Sequence, residues 1–220
     1  MDGGRWHALI GSETELGIFT ESSRDIRPAP DELAAAIIEE VSKHCQHARS
    51  PDPLPFRRIF LTNGASLYMG PSGRFGIVSA DCASPVDHAV QVLALRKMVS
   101  ESADVIARLR RLIVHVVASN TDYSLGGEGV CGHRVNLLAR GVPVETAVRQ
   151  LTPLLAALPL LAGAGKVCFA RGSAGFELSQ RAGQMRVVSS RRASDTRALI
   201  TSEDDLRTEN AVHLRLHSLD

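Results

Sequence analysis

Two glutamates near the start of the chain have the type and spacing of a metal-binding pair. Glu13 and Glu15 follow the apolar run Ala8-Leu9-Ile10, which predicts a first strand. Successive side chains of a strand point to opposite faces, so both carboxylates project from the same side of a sheet. Magnesium in proteins often lies between a few carboxylates and the phosphates of a nucleotide. The pattern therefore predicts a divalent cation at this face, and a solvated strand surface is the alternative.

Five segments, in order along the chain, match motifs of one protein family. They are Gly11 to Gly17, Leu61 to Tyr68, Asn120 to Asp122, Gly163 to Val167 and Leu178 to Ala182. Together they resemble the family that contains the ligase and the deamidase (depupylase) for Pup, the prokaryotic ubiquitin-like protein. The resemblance runs from about Ala8 to His217 and covers the N-terminal half of the family's length.

The resemblance implies an α+β fold of the glutamine-synthetase-like carboxylate-amine ligase type. We expect a curved, mostly antiparallel sheet with helices on one face. Residues 1–220 are expected to form a single domain, the N-terminal part of that catalytic domain, with a sheet that is incomplete at the C-terminus. An incomplete sheet exposes an edge strand. This predicts self-association or dependence on a missing C-terminal segment.

The resemblance also implies a chemistry. Members of the family use ATP and magnesium to activate a glutamate of Pup and join it to a substrate lysine, or they hydrolyse such an amide bond. The implied cofactors are therefore ATP and Mg²⁺, and the implied partners are Pup or Pup-tagged proteins. Glu13 and Tyr68 match positions of the family's metal site, and Ser79 matches a threonine that contacts ATP.

Several positions depart from the family. Its catalytic aspartate, a metal-binding glutamate, an ATP-contacting arginine and a further acid correspond here to Gly70, Gly76, Ser66 and Arg134. A glycine has no proton acceptor, and losing a positioned acid or base typically costs about 10²–10⁴-fold in rate. No catalytic residue is therefore assigned, and Asp81 and Asp122 are the candidates for a substitute acid.

Three functions remain open at this point. The first is an impaired ATP- and Mg²⁺-dependent enzyme that forms or hydrolyses the bond between Pup and lysine. The second is a catalytically silent module that binds Pup or nucleotide. The third is a diverged carboxylate-amine ligase that acts on small molecules. The motifs do not separate ligase from deamidase.

The net charge, the cysteine spacing and the apolar runs of the sequence limit the kinds of partner and the cellular location to be expected. The formal net charge is +1, which indicates no general attraction to nucleic acid or to an anionic membrane. The four cysteines contain no C-x-x-C pair, so neither a zinc site nor a disulfide framework is indicated. No apolar run is long enough to span a bilayer or to serve as a signal peptide. We expect a cytoplasmic protein.

Hydrophobic periodicity and turn signals predict the elements that position these residues. Asp31 is expected to cap a first helix, and Asn63-Gly64 to close a hairpin. Ser84 is expected to cap a long helix whose buried stripe is Val86, Val90, Leu93, Met98, Val105 and Leu109. The pattern also predicts a central strand over Leu112 to Val117 and a helix over Val144 to Leu161. Further strands are expected over Lys166 to Ala170, Gly175 to Ser179 and Val212 to Leu219.

Overall fold

A computed structural model describes residues 7–21, 28–49, 57–70, 74–117, 121–122, 129–130, 132–163, 165–170, 173–179, 183, 185–192, 197–204 and 211–217. The helices in these ranges are α1 (Pro30–His44), α2 (Pro85–Arg110) and α3 (Val144–Ala162). The strands in the first half are β1 (His7–Glu21), β2 (His47–Arg49), β3 (Arg58–Leu61), β4 (Ser66–Met69), β5 (Phe75–Val78) and β6 (Ile113–Val117). Those that follow are β7 (Thr121–Asp122), β8 (Gly129–Val130), β9 (His133–Arg140), β10 (Lys166–Ala170), β11 (Ser173–Glu177), β12 (Val187–Ser190), β13 (Ala198–Asp204) and β14 (Ala211–His217).

One large sheet organises the described part of the chain. Its ten strands run in the order β12-β13-β14-β9-β1-β5-β4-β3-β2, with β6 attached to the end of β1. The β12–β13 pair is parallel and the other described pairs are antiparallel. The long strand β1 pairs with β9 on one edge, and with β5 and then β6 on the other. Strand β1 is therefore the strand around which the sheet is built.

The three helices cover the same face of this sheet. Directly opposed residues of an antiparallel pair point to the same side, and Ser12, Val135 and Leu216 are opposed across β1, β9 and β14. Leu16 and Ile18 share this side of β1 and pack with α1 and α2 in one buried cluster. A second cluster on the same side joins β9, β13 and β14 to residues of α3. The predicted α+β layer with helices on one face is confirmed.

Local sequence explains the first helix and the hairpin. Pro30 suits the first turn of α1, where an amide hydrogen is not needed. The prediction that Asp31 caps this helix is wrong, since Ala29 is the N-cap and Asp31 Oδ1 accepts from the Glu32 amide inside the first turn. The Asn63-Gly64 turn between β3 and β4 is confirmed, and Gly64 supplies the positive φ of 89° that it requires.

Helix α2 begins as predicted but turns a different side to the sheet. The Ser84 hydroxyl oxygen accepts from the amides of Val86 and Asp87, which confirms the cap. The predicted buried stripe is wrong, because Val86, Val90, Leu93 and Leu109 are exposed. The buried side consists of Leu95, Val99, Ser102, Ala103 and Ile106. Near its start the helix meets the sheet through polar side chains, with Gln91 accepting from the Ala80 amide and His88 contacting Ser12.

The remaining predicted elements are present with small differences. Strand β6 pairs with β1 outside the main strand order, so the prediction of a central strand at this position is wrong. Helix α3 contains Pro153 and Pro159, and Pro159 is one of its buried residues. Strands β10 and β11 form a separate two-stranded sheet. Within the described ranges, no helix has both the length and the apolar character needed to cross a membrane.

The orientation of α2 predicts that replacing leucine by alanine is costly at position 95 and nearly neutral at position 93. Leu95 is 3% exposed and Leu93 is 64% exposed. Leu95→Ala is expected to lower the free energy of unfolding by about 2–5 kcal/mol, because it opens a cavity in the core. Leu93→Ala is the matched control and should change it by less than about 0.5 kcal/mol. Equilibrium denaturation with urea measures both, and equal losses would contradict the orientation described.

Candidate functional site

Glu13 and Glu15 of β1 lie together on the helix-free face of the sheet. Glu13 is opposed by Val78 of β5 and by Arg134 of β9, and Glu15 is opposed by Gly76 of β5. Their side chains are 21% and 15% exposed, so both carboxylates are largely removed from water. The prediction that both project from one face of one strand is confirmed.

Both oxygens of the Glu13 carboxylate have partners from this chain. The Tyr68 hydroxyl donates to Oε1 over 2.6 Å, a short charge-assisted hydrogen bond. Arg134 Nη1 donates to Oε2 over 3.4 Å. Burial, followed by the Glu13 charge, raises the pKa of Tyr68, so its hydroxyl stays protonated and remains a donor. The negative charge of Glu13 is thereby compensated by side chains of the protein.

The Tyr68 ring reaches Glu13 because the cross-strand position has no side chain. Tyr68 opposes Gly76, and a Cβ at Gly76 would overlap the ring. An aromatic side chain lying over a glycine of the neighbouring strand is a known way to stabilise such a pair. On its other side, the Arg58 guanidinium lies 4.9 Å from the ring centroid, within the range of a cation–π contact. The glycine at position 76 thus determines where the tyrosine lies.

Glu15 is held in a similar way. Its Oε2 accepts from the Gly132 amide over 2.7 Å, and Arg74 Nη1 lies 4.0 Å from the same oxygen. The Glu15 amide in turn donates to the Gly132 carbonyl. Gly132 therefore ties the start of β9 to the acidic pair.

These contacts do not fit a divalent cation at Glu13. Magnesium needs oxygen ligands arranged around it, whereas the oxygens of Glu13 face a hydroxyl donor and a guanidinium. Among the described residues, no group of three or more histidines, cysteines, aspartates or glutamates is arranged to hold a metal ion. The assignment of Glu13 and Tyr68 as metal ligands stays a prediction.

The position expected to carry the catalytic acid is buried. The Gly70 amide donates to the Arg74 carbonyl over 2.7 Å. A Cβ at Gly70 would meet only ordinary contacts of 3.6 Å or more, with Tyr68 and Arg74. The backbone here has room for a side chain, but a glycine supplies none.

The predicted ATP contact, Ser79, is also buried. Its Oγ accepts from the Ser12 amide over 2.8 Å and so holds the end of β5 against β1. The hydroxyl hydrogen is not used by that bond. Its role as a nucleotide contact stays a prediction.

The two candidate substitute acids belong to different parts of the fold. Asp81 Oδ1 lies 3.0 Å from the position that a Cβ on Gly11 would take, which puts it on the same face as Glu13. Asp122 belongs to β7, which pairs with β8 in a separate two-stranded sheet. Asn120 lies outside the described residues.

Sequence reasoning missed a polar seam beneath the acidic pair. Thr14 Oγ1 contacts His133 Nδ1, and Ser12 Oγ contacts His88 Nε2, each over 2.8 Å. Burial, together with the nearby charges of Arg96 and His88, lowers the pKa of His133 to about 4. Burial lowers the pKa of His88 as well. The signal was the alternation Ser12-Glu13-Thr14-Glu15, which places small polar side chains on the helix side and requires polar partners there.

The dependence of Tyr68 on Gly76 predicts a coupled pair of substitutions. Gly76→Ala should displace the ring, break its bond to Glu13 and lower the free energy of unfolding by about 1–3 kcal/mol. In a Tyr68→Ala background the same change should cost little, because no ring lies over the position. Urea denaturation of the two single variants and the double variant measures the coupling energy. Additive effects would contradict the contact.

Comparisons with known proteins agree on one family. The family described as "Pup-ligase protein" matches residues 8–219. The chain is 28% identical to a Pup–protein ligase of Corynebacterium jeikeium (strain K411), over 95% of this chain and 44% of that protein. It is 30% identical to a Pup–protein ligase of Paenarthrobacter aurescens (strain TC1), over 95% of this chain and 45% of that protein. The chain thus spans less than half the length of these relatives.

A solved structure shares the fold. The crystal structure of the complex between Pup and its ligase PafA superposes with a TM-score of 0.67 and 22% identity, covering 96% of this chain and 41% of that one. The family match and the identity to the curated ligases extend over nearly the whole chain. The chain belongs to the Pup-ligase family.

Proposed function

We propose that this chain takes part in pupylation as a catalytically silent module that recognises Pup. The observation that carries the proposal is the state of Glu13, whose two oxygens are engaged by Tyr68 and Arg134. A metal and its nucleotide could bind Glu13 only after these two side chains had been displaced from it. Gly70, at the position of the family's catalytic aspartate, adds a second deficit.

Recognition of Pup is supported by the shared fold. The solved relative is a complex of Pup with its ligase, and the similarity covers 96% of this chain. A binding surface can persist on a fold after the chemistry is lost, since binding does not require the acid at position 70. We expect the chain to bind ATP and Mg²⁺ only weakly, because Ser66 and Gly76 lack the charged side chains that would hold them.

An impaired ATP- and Mg²⁺-dependent enzyme is the second candidate. One observation favours it: the Asp81 carboxylate lies beside Gly11, on the face that carries Glu13. In this alternative Asp81 serves as the acid that Gly70 lacks. The enzyme would form an amide bond between Pup and a lysine, or would hydrolyse such a bond.

Location and assembly complete the proposal. A cytoplasmic protein fits the pupylation role and the free thiols of Cys45 and Cys82, which are the cysteines whose side chains the structure describes. Self-association fits the edge strands β2 and β12, which end the strand order of the described sheet.

Two assays on the purified chain test the proposal. Fluorescence anisotropy of labelled Pup should rise to saturation as the chain is added, and an unrelated disordered protein of similar length and charge should show no rise. Incubation with Pup, a lysine-bearing protein and magnesium-ATP, and separately with a Pup conjugate, should give no product above a Glu13→Ala control.

The outcomes separate the candidates. Absence of saturable Pup binding would overturn the binding module. Turnover above the Glu13→Ala control would establish the enzyme, and its loss in Asp81→Asn would assign the substitute acid.

A further inference from the structure

Arg134 brings a positive charge to the Glu13 carboxylate. It lies directly opposite Glu13 in the β1–β9 pair, and its Nη1 is 3.4 Å from Glu13 Oε2. The side chain is 24% exposed, so the pair is partly shielded from water and from salt. By the resemblance described above, an acid of the family corresponds to this arginine. An added acid would strengthen a cation site, whereas a guanidinium repels a cation from it.

We propose that Arg134 replaces the divalent cation, so that the helix-free face binds an oxyanion directly through guanidinium groups and without metal. The ligand class is a compact oxyanion, a phosphate or a carboxylate. The proposal concerns a site for small anions and does not depend on recognition of Pup.

Arg134 has donors to spare for such a ligand. A guanidinium carries five N–H donors in a planar fork that matches phosphate and carboxylate oxygens. The bond to Glu13 uses one of them, and its length of 3.4 Å is at the weak end of the range. The Nε atom of Arg134 is buried without a hydrogen-bond partner, so a ligand would bind the terminal Nη atoms. An arginine whose hydrogen bond to Glu13 is long can donate to a second anionic partner.

Neighbouring groups extend the site along the sheet. Asn136 and Arg215 are opposed across β9 and β14, two residues along from Arg134, and they share its face. Arg215 Nε lies 3.4 Å from Asn136 Oδ1, which leaves the amide nitrogen of Asn136 as a donor. Gly11 opposes Asn136 on β1 and adds no side chain above the backbone. Arg134, Asn136 and Arg215 therefore form a row of polar side chains along one face of β9 and β14.

An acidic group sets the boundary of this row. Asp81 Oδ1 lies over Gly11, on the β5 side. Repulsion from this carboxylate directs an anion toward β9 and β14, where the two guanidinium groups are. The site is consequently expected over these strands rather than at the centre of β1.

Isothermal titration calorimetry with inorganic pyrophosphate tests the proposal on the full chain. Binding is expected in EDTA, with no gain on replacing EDTA by Mg²⁺. A parallel titration with glutarate distinguishes a phosphate ligand from a carboxylate ligand. Arg134→Gln should weaken binding of the better probe about tenfold, the effect of one charge-assisted hydrogen bond. Arg140→Gln is the matched control, since Arg140 lies on the same strand and face, at its exposed far end.

A charge reversal makes the test sharper. Arg134→Glu places a second carboxylate opposite Glu13, so it should abolish anion binding in EDTA and create affinity for Mn²⁺, seen as loss of the free-ion signal in electron paramagnetic resonance. Wild type should leave that signal unchanged. Circular dichroism checks that each variant folds, and if the Arg134 variants do not, Arg215→Gln should weaken the same binding. Binding of neither probe, binding by wild type only with Mg²⁺, or equal affinity in wild type and the folded variants would overturn the proposal.

Discussion

The engaged carboxylate of Glu13 is the constraint on which the site depends. A carboxylate that is 21% exposed in the middle of a ten-stranded sheet must be compensated, and here Tyr68 and Arg134 compensate it. Tyr68 reaches it because Gly76 leaves space for the ring. The tyrosine, the glycine and the arginine are therefore one connected arrangement. By the resemblance, Gly76 and Arg134 stand where the family has acids, whereas Tyr68 matches the family.

The strand that carries Glu13 also joins the two faces of the sheet. Glu13 and Glu15 lie on the helix-free face of β1. On the face that the helices cover, Ser12 contacts His88 and Thr14 contacts His133. Burial keeps His133 neutral near pH 7, with a pKa of about 4, so this seam adds no positive charge beneath the acids. The charges that balance the two glutamates therefore come from the open face itself. This explains why arginines cluster there.

How far the sequence predicts this structure depends on whether a pattern is local. The E-x-E alternation, the Asn63-Gly64 turn and the Ser84 cap each follow from a few neighbouring residues, and all three are confirmed. The buried side of α2 was not predictable in this way, because His88 and Gln91 bind the sheet and turn Val90 outward. The partners of Glu13 were also hidden, since Tyr68 and Arg134 lie 55 and 121 residues away in the chain. Cross-strand register decides such contacts.

The central claim is that side chains of the protein, and not a metal, balance the acidic pair. Crystals grown with manganese and a nucleotide test this most directly, because anomalous scattering locates each manganese ion independently of the protein. We expect no anomalous peak within coordinating distance of Glu13, with the Tyr68 hydroxyl and the Arg134 guanidinium still on its two oxygens. A peak at Glu13, with either side chain displaced, would contradict the account.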